Sequence, residues 1–205
     1  MQISPRVAKP IVVVLALSPA AWLTWGFFHD QLGANPIEML TRETGVWTLR
    51  FIVATLVITP LRRLTGWNAL VKYRRMLGLF AFFYGTVHLL TYVWLDQFFD
   101  VPAIVKDVLK RPFITMGMLA FLAMLPLALT STTGWIRRLG GKRWQAIHRL
   151  IYITAVCGVI HYYWLVKADV ARPVRYAAIV VVLLAARAIY TLRMRRARVP
   201  RVQPA

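Results

Sequence analysis

The chain has 205 residues, of which 59% are hydrophobic, with a mean hydropathy of +0.58 and a formal net charge of +19. So apolar a composition excludes an ordinary soluble domain of this size. A charge of +19 would suit a nucleic-acid binder, but the cations are scattered between apolar runs and form no basic, aromatic-rich domain of their own, so nucleic acid is excluded as a partner.

A transmembrane helix needs roughly 20 apolar residues, and six segments come near that length: about 10 to 28, 45 to 61, 75 to 95, 112 to 130, 145 to 166 and 174 to 192. The expected fold is an all-α integral membrane protein, a six-transmembrane-helix bundle forming a single domain over residues 1–205, without a soluble nucleotide-binding module or an internal repeat. Arg6 and Lys9 precede the first run as in a signal peptide, but "LALSPAAWLTWGFF" continues through bulky aromatics past any small-residue cleavage site, so a retained helix is expected. Pro19 and Pro126 fall inside their segments, where a bundle tolerates kinks. Between the third and fourth runs, "VPAIVKDVLKRPF" fits a short amphipathic interfacial helix with Ile104, Val105, Val108 and Leu109 on one side. Cys157, the single cysteine, lies in the fifth run and excludes an intramolecular disulfide and a cysteine-ligated cluster.

Six spans place the amino terminus, the 62–75 and 131–143 loops and the carboxy-terminal tail on one side, with sixteen Lys or Arg. The other side carries seven, together with all seven acids: Asp30, Glu38, Glu43, Asp96, Asp100, Asp107 and Asp169. This positive-inside bias predicts that both termini are cytoplasmic, and it assigns the basic charge to topology and to membrane-lipid headgroups.

Ionisable side chains inside a bilayer are costly and mark functional sites. Of four histidines, His88 falls in the third span and His148 and His161 in the fifth, while His29 follows the first span as an interfacial residue. His88 is thirteen residues beyond Arg75 and His161 thirteen beyond His148, a rise of roughly 20 Å in each case. His88 and His161 are therefore expected at similar depth toward the outer face, with His148 toward the cytoplasmic face, level with Arg74 and Arg75. Two neutral imidazoles facing one another from neighbouring helices suit a six-coordinate haem. Gly85 and Gly158 each precede one of these histidines by three residues, on the same helical face, and would leave room for a porphyrin edge or simply for close helix packing. Thirteen residues at 100° each leave His148 and His161 on different faces of an ideal helix, so either this span is distorted, or His148 swings from a frayed end, or it is a satisfied polar residue and not a ligand. Arg50, near the outer side, and Arg187, near the inner side, could neutralise haem propionates or snorkel to headgroups.

The segments "TGVWTLRFIVATLVITPLRRL", "YRRMLGLFAFFYGTVHLLTYVWLD" and "GKRWQAIHRLIYITAVCGVIHYYW" resemble the MsrQ (YedZ) family, part of the ferric-reductase-like transmembrane group, over about residues 40–166. The resemblance implies a b-type haem protein of the bacterial inner membrane with one or two haems and an association with FMN. It would pass electrons from a cytosolic flavin reductase or quinol to a periplasmic molybdopterin-containing subunit that reduces methionine sulfoxide. His88, His148 and His161 match the family's haem-ligand positions. Where the four-histidine ferric-reductase pattern has its remaining histidine, fourteen residues before His88, this sequence has Arg74, which bears on the inner haem or its sixth ligand. The tail holds no Gly-rich phosphate loop, so hydride chemistry is expected in another protein.

Competing readings are a small transporter that uses intramembrane His and Arg as a proton or anion path without haem, a non-haem metalloenzyme, which lacks intramembrane carboxylates, and a bare anchor, which leaves the histidines unexplained.

Overall fold

The computed structural model describes residues 5–197, and every regular element among them is helical. α1 spans Pro5–Phe28 and α2 Pro36–Thr65. A short 3-10 turn, Asn68–Leu70, leads into α3, Val71–Leu90, which continues as a π-helical stretch Thr91–Asp96. Then follow α4 (Val101–Lys110), α5 (Pro112–Leu129), α6 (Thr133–Ile147), α7 (Leu150–Leu165) and α8 (Ala171–Ala197). The boundaries have local causes. Asn35 caps α2 by accepting from the Glu38 N–H at 3.1 Å, and Pro36 sits in the first turn, where no donor is needed. Gly66, at φ 71°, closes the same helix by donating its N–H to the Arg62 carbonyl.

α2 lies along α3, and α5 lies along α7; contacts between α3 and α5 join the two pairs, and α1 and α8 flank them. Tyr84, Leu23, Ile52, Leu56, Thr44 and Thr154 are completely enclosed where these helices meet. The outward faces are also apolar, with Val14, Leu15, Val181 and Val182 exposed, as expected of helices that meet lipid on their outer side.

Among the described residues, five helical stretches are long and apolar enough to cross a membrane: Ala8–Phe28, Pro36–Thr65, Asn68–Asp96, Pro112–Leu129 and Ala171–Met194. α7 is just as apolar, but its 16 residues extend about 24 Å against a hydrocarbon layer of about 30 Å. The expected single span from 145 to 166 is thus corrected: the chain breaks at His148 and Arg149, and α6 and α7 are separate helices. The stretch 131–143, expected as a loop, is largely helical, capped by Thr132 and kinked at Gly140, where φ is +72°.

Two internal prolines expose carbonyls that other groups then satisfy. Pro19 has no N–H for the Leu15 carbonyl, and the Ser18 hydroxyl donates to that carbonyl at 3.0 Å. One turn on, the Tyr84 hydroxyl donates to the Ala16 carbonyl at 2.7 Å and accepts from the Ala20 N–H at 3.1 Å, tying α3 to α1. Pro60 likewise leaves the Leu56 carbonyl without its helical donor, and the Arg187 guanidinium, arriving from α8, donates to it at 3.4 Å.

On the amphipathic α4, Asp100 caps the first turn, and Asp107 accepts from the Tyr92 hydroxyl at 3.3 Å and pairs with Arg111 at 3.3 Å. The expected apolar side divides in two. Ile104 and Val108 pack inward, whereas Val105 and Leu109 join Val101 in an exposed stripe.

Candidate functional site

His88 lies near the end of α3 and His161 near the end of α7, and the fold brings them together. Their ring centroids are 5.9 Å apart and their planes meet at 75°. Each ring is held by a different helix. The His88 Nδ1–H donates to the Thr41 carbonyl of α2 at 2.8 Å, and the His161 Nδ1–H donates to the Phe113 carbonyl of α5 at 2.6 Å. A carbonyl has two lone pairs, so both can accept a ring N–H beside their own helical bond. With Nδ1 acting as donor, Nε2 keeps its lone pair in each ring and is the nitrogen free to bind a metal.

A histidine can reach a helical carbonyl only if the turn above it is bare. The residue four beyond Thr41 is Gly45, and the residue four beyond Phe113 is Gly117. A Cβ at Gly45 would lie 3.0 Å from His88 Cε1, and one at Gly117 would lie 2.8 Å from His161 Nδ1. The two halves therefore repeat one device: a carbonyl, a glycine one turn later, and an imidazole from the neighbouring helix seated against both.

The group around His148 is built differently. His148 caps α6, stacks on Trp144 with centroids 3.8 Å apart, and donates from Nδ1 to the Trp144 carbonyl at 3.0 Å, while its Nε2 lies 3.5 Å from Ser131 Oγ. The Trp144 indole in turn donates to the Thr130 carbonyl at 2.9 Å. Arg74, at the start of α3, lies within electrostatic reach of His148, Arg187 and Tyr152. Arg187 donates to the Tyr152 hydroxyl at 2.6 Å and lines a groove between α2 and α8, where Arg63 stacks over Tyr190 at 3.5 Å. Neither Arg74 nor Arg187 pairs with a carboxylate among the described residues.

The other sequence-singled residues fall as follows. Gly85 is buried, and a Cβ there would meet Met124 at 2.8 Å and Thr48 at 3.5 Å, so it brings α3 close to α5 and α2. Gly158 has only an ordinary contact, with Leu49 at 3.8 Å. Arg50 is exposed; its guanidinium lies over Trp47 at 4.3 Å, and its Nε donates to the Tyr176 hydroxyl at 3.4 Å. His29 stacks on Trp25 at 3.7 Å in an exposed position.

Chemically, the His88–His161 pair offers two imidazole nitrogen donors from neighbouring helices within one short separation. Among the described residues no cluster of three or more His, Cys, Asp or Glu could hold a bare metal ion. Two imidazoles alone suit a metal that brings its own equatorial ligands. A metal–imidazole bond of about 2 Å on each side, plus half a ring, gives a centroid separation of roughly 6 Å, close to that of the pair.

Residues 44–159 match the family described as the ferric reductase like transmembrane component, and that range contains His88 and His148, with His161 two residues beyond it. Relatives carrying the name protein-methionine-sulfoxide reductase heme-binding subunit MsrQ align over nearly the whole chain. The protein from Azospira oryzae is 53% identical over 202 residues, covering 96% of this chain and 87% of its own length. Those from Herminiimonas arsenicoxydans and Rhodospirillum rubrum are each 52% identical, covering 91% and 93% of this chain and 87% and 92% of their own lengths. The chain belongs to the MsrQ family. It is accordingly a multi-pass membrane protein of the ferric-reductase-like group.

Sequence reasoning overlooked four residues that seat the two imidazoles: Thr41, Gly45, Phe113 and Gly117. A glycine inside an apolar helix is unfavourable by about 1 kcal/mol relative to alanine, so "TGV" in α2 and "MGM" in α5 each called for a packing reason. That both glycines serve histidines follows only from knowing that α2 pairs with α3 and α5 with α7.

Proposed function

We propose that the chain is the haem-binding electron-transfer subunit of a protein-methionine-sulfoxide reductase system, spanning the bacterial inner membrane as six helices with both termini in the cytoplasm. On this reading the chain is a single transmembrane domain with its haem-binding core at about residues 40–166, and the short α7 is the fifth of the six spans in chain order. The observation that carries the proposal is the opposed pair His88 and His161, each with its Nδ1–H committed to a carbonyl of a second helix.

His88 and His161 would hold a b-type haem from its two faces, at the end of the bundle where α2 and α5 begin and α3 and α7 finish. When bound, the haem supplies a one-electron carrier in a layer where no free ion can reside. The chain's own residues do the rest. The Thr41 and Phe113 carbonyls hold each imidazole in the tautomer that points Nε2 at the iron and raise its basicity. The surrounding apolar helices exclude water, and Gly85 lets α3 close against α5 and α2 one turn below His88. Arg50 would be a partner for an outer propionate.

At the other end, Arg74 and Arg187 beside His148 have no carboxylate partner among the described residues, which supports a second anionic cofactor there, either an inner haem with His148 as ligand or FMN. Arg187 would face its acidic substituents from the Tyr152 side. Electrons would enter at this end from a cytosolic flavin reductase or from quinol. They would leave at the outer end to a periplasmic molybdopterin-containing subunit that reduces methionine sulfoxide in oxidised proteins. The exposed stripe Val101, Val105 and Leu109 of α4, beside Lys106 and Lys110, is the surface we assign to that partner.

The test is the dithionite-reduced minus oxidised spectrum of the purified protein, with haem quantified per chain. A reduced b-type α-band is expected. A colourless protein that stays colourless after haem supplementation would overturn the proposal in favour of a haem-free proton or anion path.

A further inference from the structure

We propose that Gly45 and Gly117 are positioning residues that set the angle between the two axial imidazole planes, holding them near a right angle. The inference rests on the haem reading and adds to it a determinant that lies outside the ligands themselves.

Each histidine ring has two constraints besides its own side-chain torsions. The Nδ1–H bond to the carbonyl fixes one point of the ring, leaving rotation about that point as the main freedom. The glycine backbone one turn later removes that freedom, because the ring rests against the surface that a Cβ would occupy. At Gly45 the missing atom would stand 3.0 Å from Cε1 and 3.1 Å from Nδ1 of His88. At Gly117 it would stand 2.8 Å from Nδ1 and 3.0 Å from Cε1 of His161. These are ring atoms already tied to backbone, so a methyl at either position must turn or displace the imidazole. Because α2 and α5 hold their rings independently, the 75° between the planes is set by how the two helix pairs are oriented, and each glycine transmits that orientation to one ring.

The angle has a spectroscopic consequence. In a low-spin ferric haem with two imidazole ligands, parallel ligand planes split the iron orbitals that point toward the ligand π-systems, and three separate g-values are resolved. Planes near a right angle leave those orbitals almost degenerate and give one strongly anisotropic feature at low field.

The experiment is electron paramagnetic resonance of the oxidised, purified full-length protein, in a His148→Ala background so that the outer site is observed alone. The low-field, strongly anisotropic signal is expected. Gly45→Ala and Gly117→Ala should move it toward the three-line form or convert it to high spin as a ligand is lost. The larger change is expected for Gly117→Ala, together with a fall of about tenfold or more in haem affinity. Gly26→Ala serves as the comparison, since a Cβ there would stand 2.8 Å from Leu32, a contact as close but made to a leucine instead of an imidazole. It should lower the melting temperature at most and leave the signal in place.

A three-line rhombic spectrum from the protein with both glycines intact would overturn the proposal, even if neither glycine variant could be purified. So would unchanged spectra in Gly45→Ala and Gly117→Ala, or an equal change in Gly26→Ala. A protein with no haem at all would instead remove the reading on which this one rests.

Discussion

His88 and His161 send their Nδ1 protons to carbonyls 47 and 48 residues away in the chain, whereas His148 sends its own to Trp144, four residues back. At the His88–His161 end the rings are oriented by tertiary structure: neither carbonyl is in place until α2 has packed on α3 and α5 on α7. At the His148 end the ring is oriented by its own helix, in the same stacked arrangement that His29 makes with Trp25 on an exposed helix end. The contrast teaches that one residue type can be pre-set by the whole fold or merely parked by its neighbours. Only the first gives a pair of donors with a fixed mutual geometry, the requirement for binding a cofactor from two faces.

The largest effect that would break this comparison is loss of an outer ligand. His88→Ala or His161→Ala should abolish the outer haem, seen as loss of its share of the reduced α-band. His148→Ala should leave that band and remove at most the inner share. Equal, total loss in all three variants would show that the two ends are one site.

Next in size is Arg187→Leu, which leaves the Tyr152 hydroxyl and the Leu56 carbonyl without their charged donor. A hydrogen bond to a charged group contributes about 1.5–3 kcal/mol, and a melting curve in detergent should register a loss of that order. If the inner group holds an anionic cofactor, the same variant should also reduce inner-site occupancy while the outer signal persists.

Tyr84→Phe probes the scaffold of the outer half. Its hydroxyl bridges the Ala16 carbonyl and the Ala20 N–H, which can rejoin each other along the helix once it is gone, so a cost of about 0.5–1.5 kcal/mol is expected with haem content unchanged. The smallest effect belongs to the surface. Charge reversal at Lys106 and Lys110 should slow electron delivery to the partner proposed to dock on α4 by a few-fold at low salt, and the difference should shrink as ionic strength rises. Identical rates at all salt concentrations would remove α4 from the docking surface.

The parts legible in the sequence were those that depend on counting along one helix. Counting residues along two spans from their basic ends predicts His88 and His161 at one level, and the fold brings their rings within 5.9 Å of each other. What could not be read depends on helix partners or on breaks that hydropathy does not mark. The apolar run from 145 to 166 gives no sign that the helix ends at Ile147, because the interruption is made by Arg149, whose N–H turns to the Ala146 carbonyl three residues back, beside a His148 ring that donates to the Trp144 carbonyl. That break also removes the face problem raised by a thirteen-residue spacing, since His148 and His161 do not share one helix. Gly85 and Gly158 stood out because they share a helix with each histidine, yet the glycines that touch the imidazoles are Gly45 and Gly117, on the helices opposite.

The carbonyl that Pro60 leaves open to Arg187 makes two distant positions interdependent. In an isolated helix, Pro60→Ala would relieve an interior proline, a gain of about 3 kcal/mol. Here it would also supply a backbone donor to Leu56 that competes with the guanidinium for the same oxygen. A double-mutant cycle between Pro60 and Arg187 should therefore be strongly non-additive, so that the proline is a defect in one genetic background and a socket in the other.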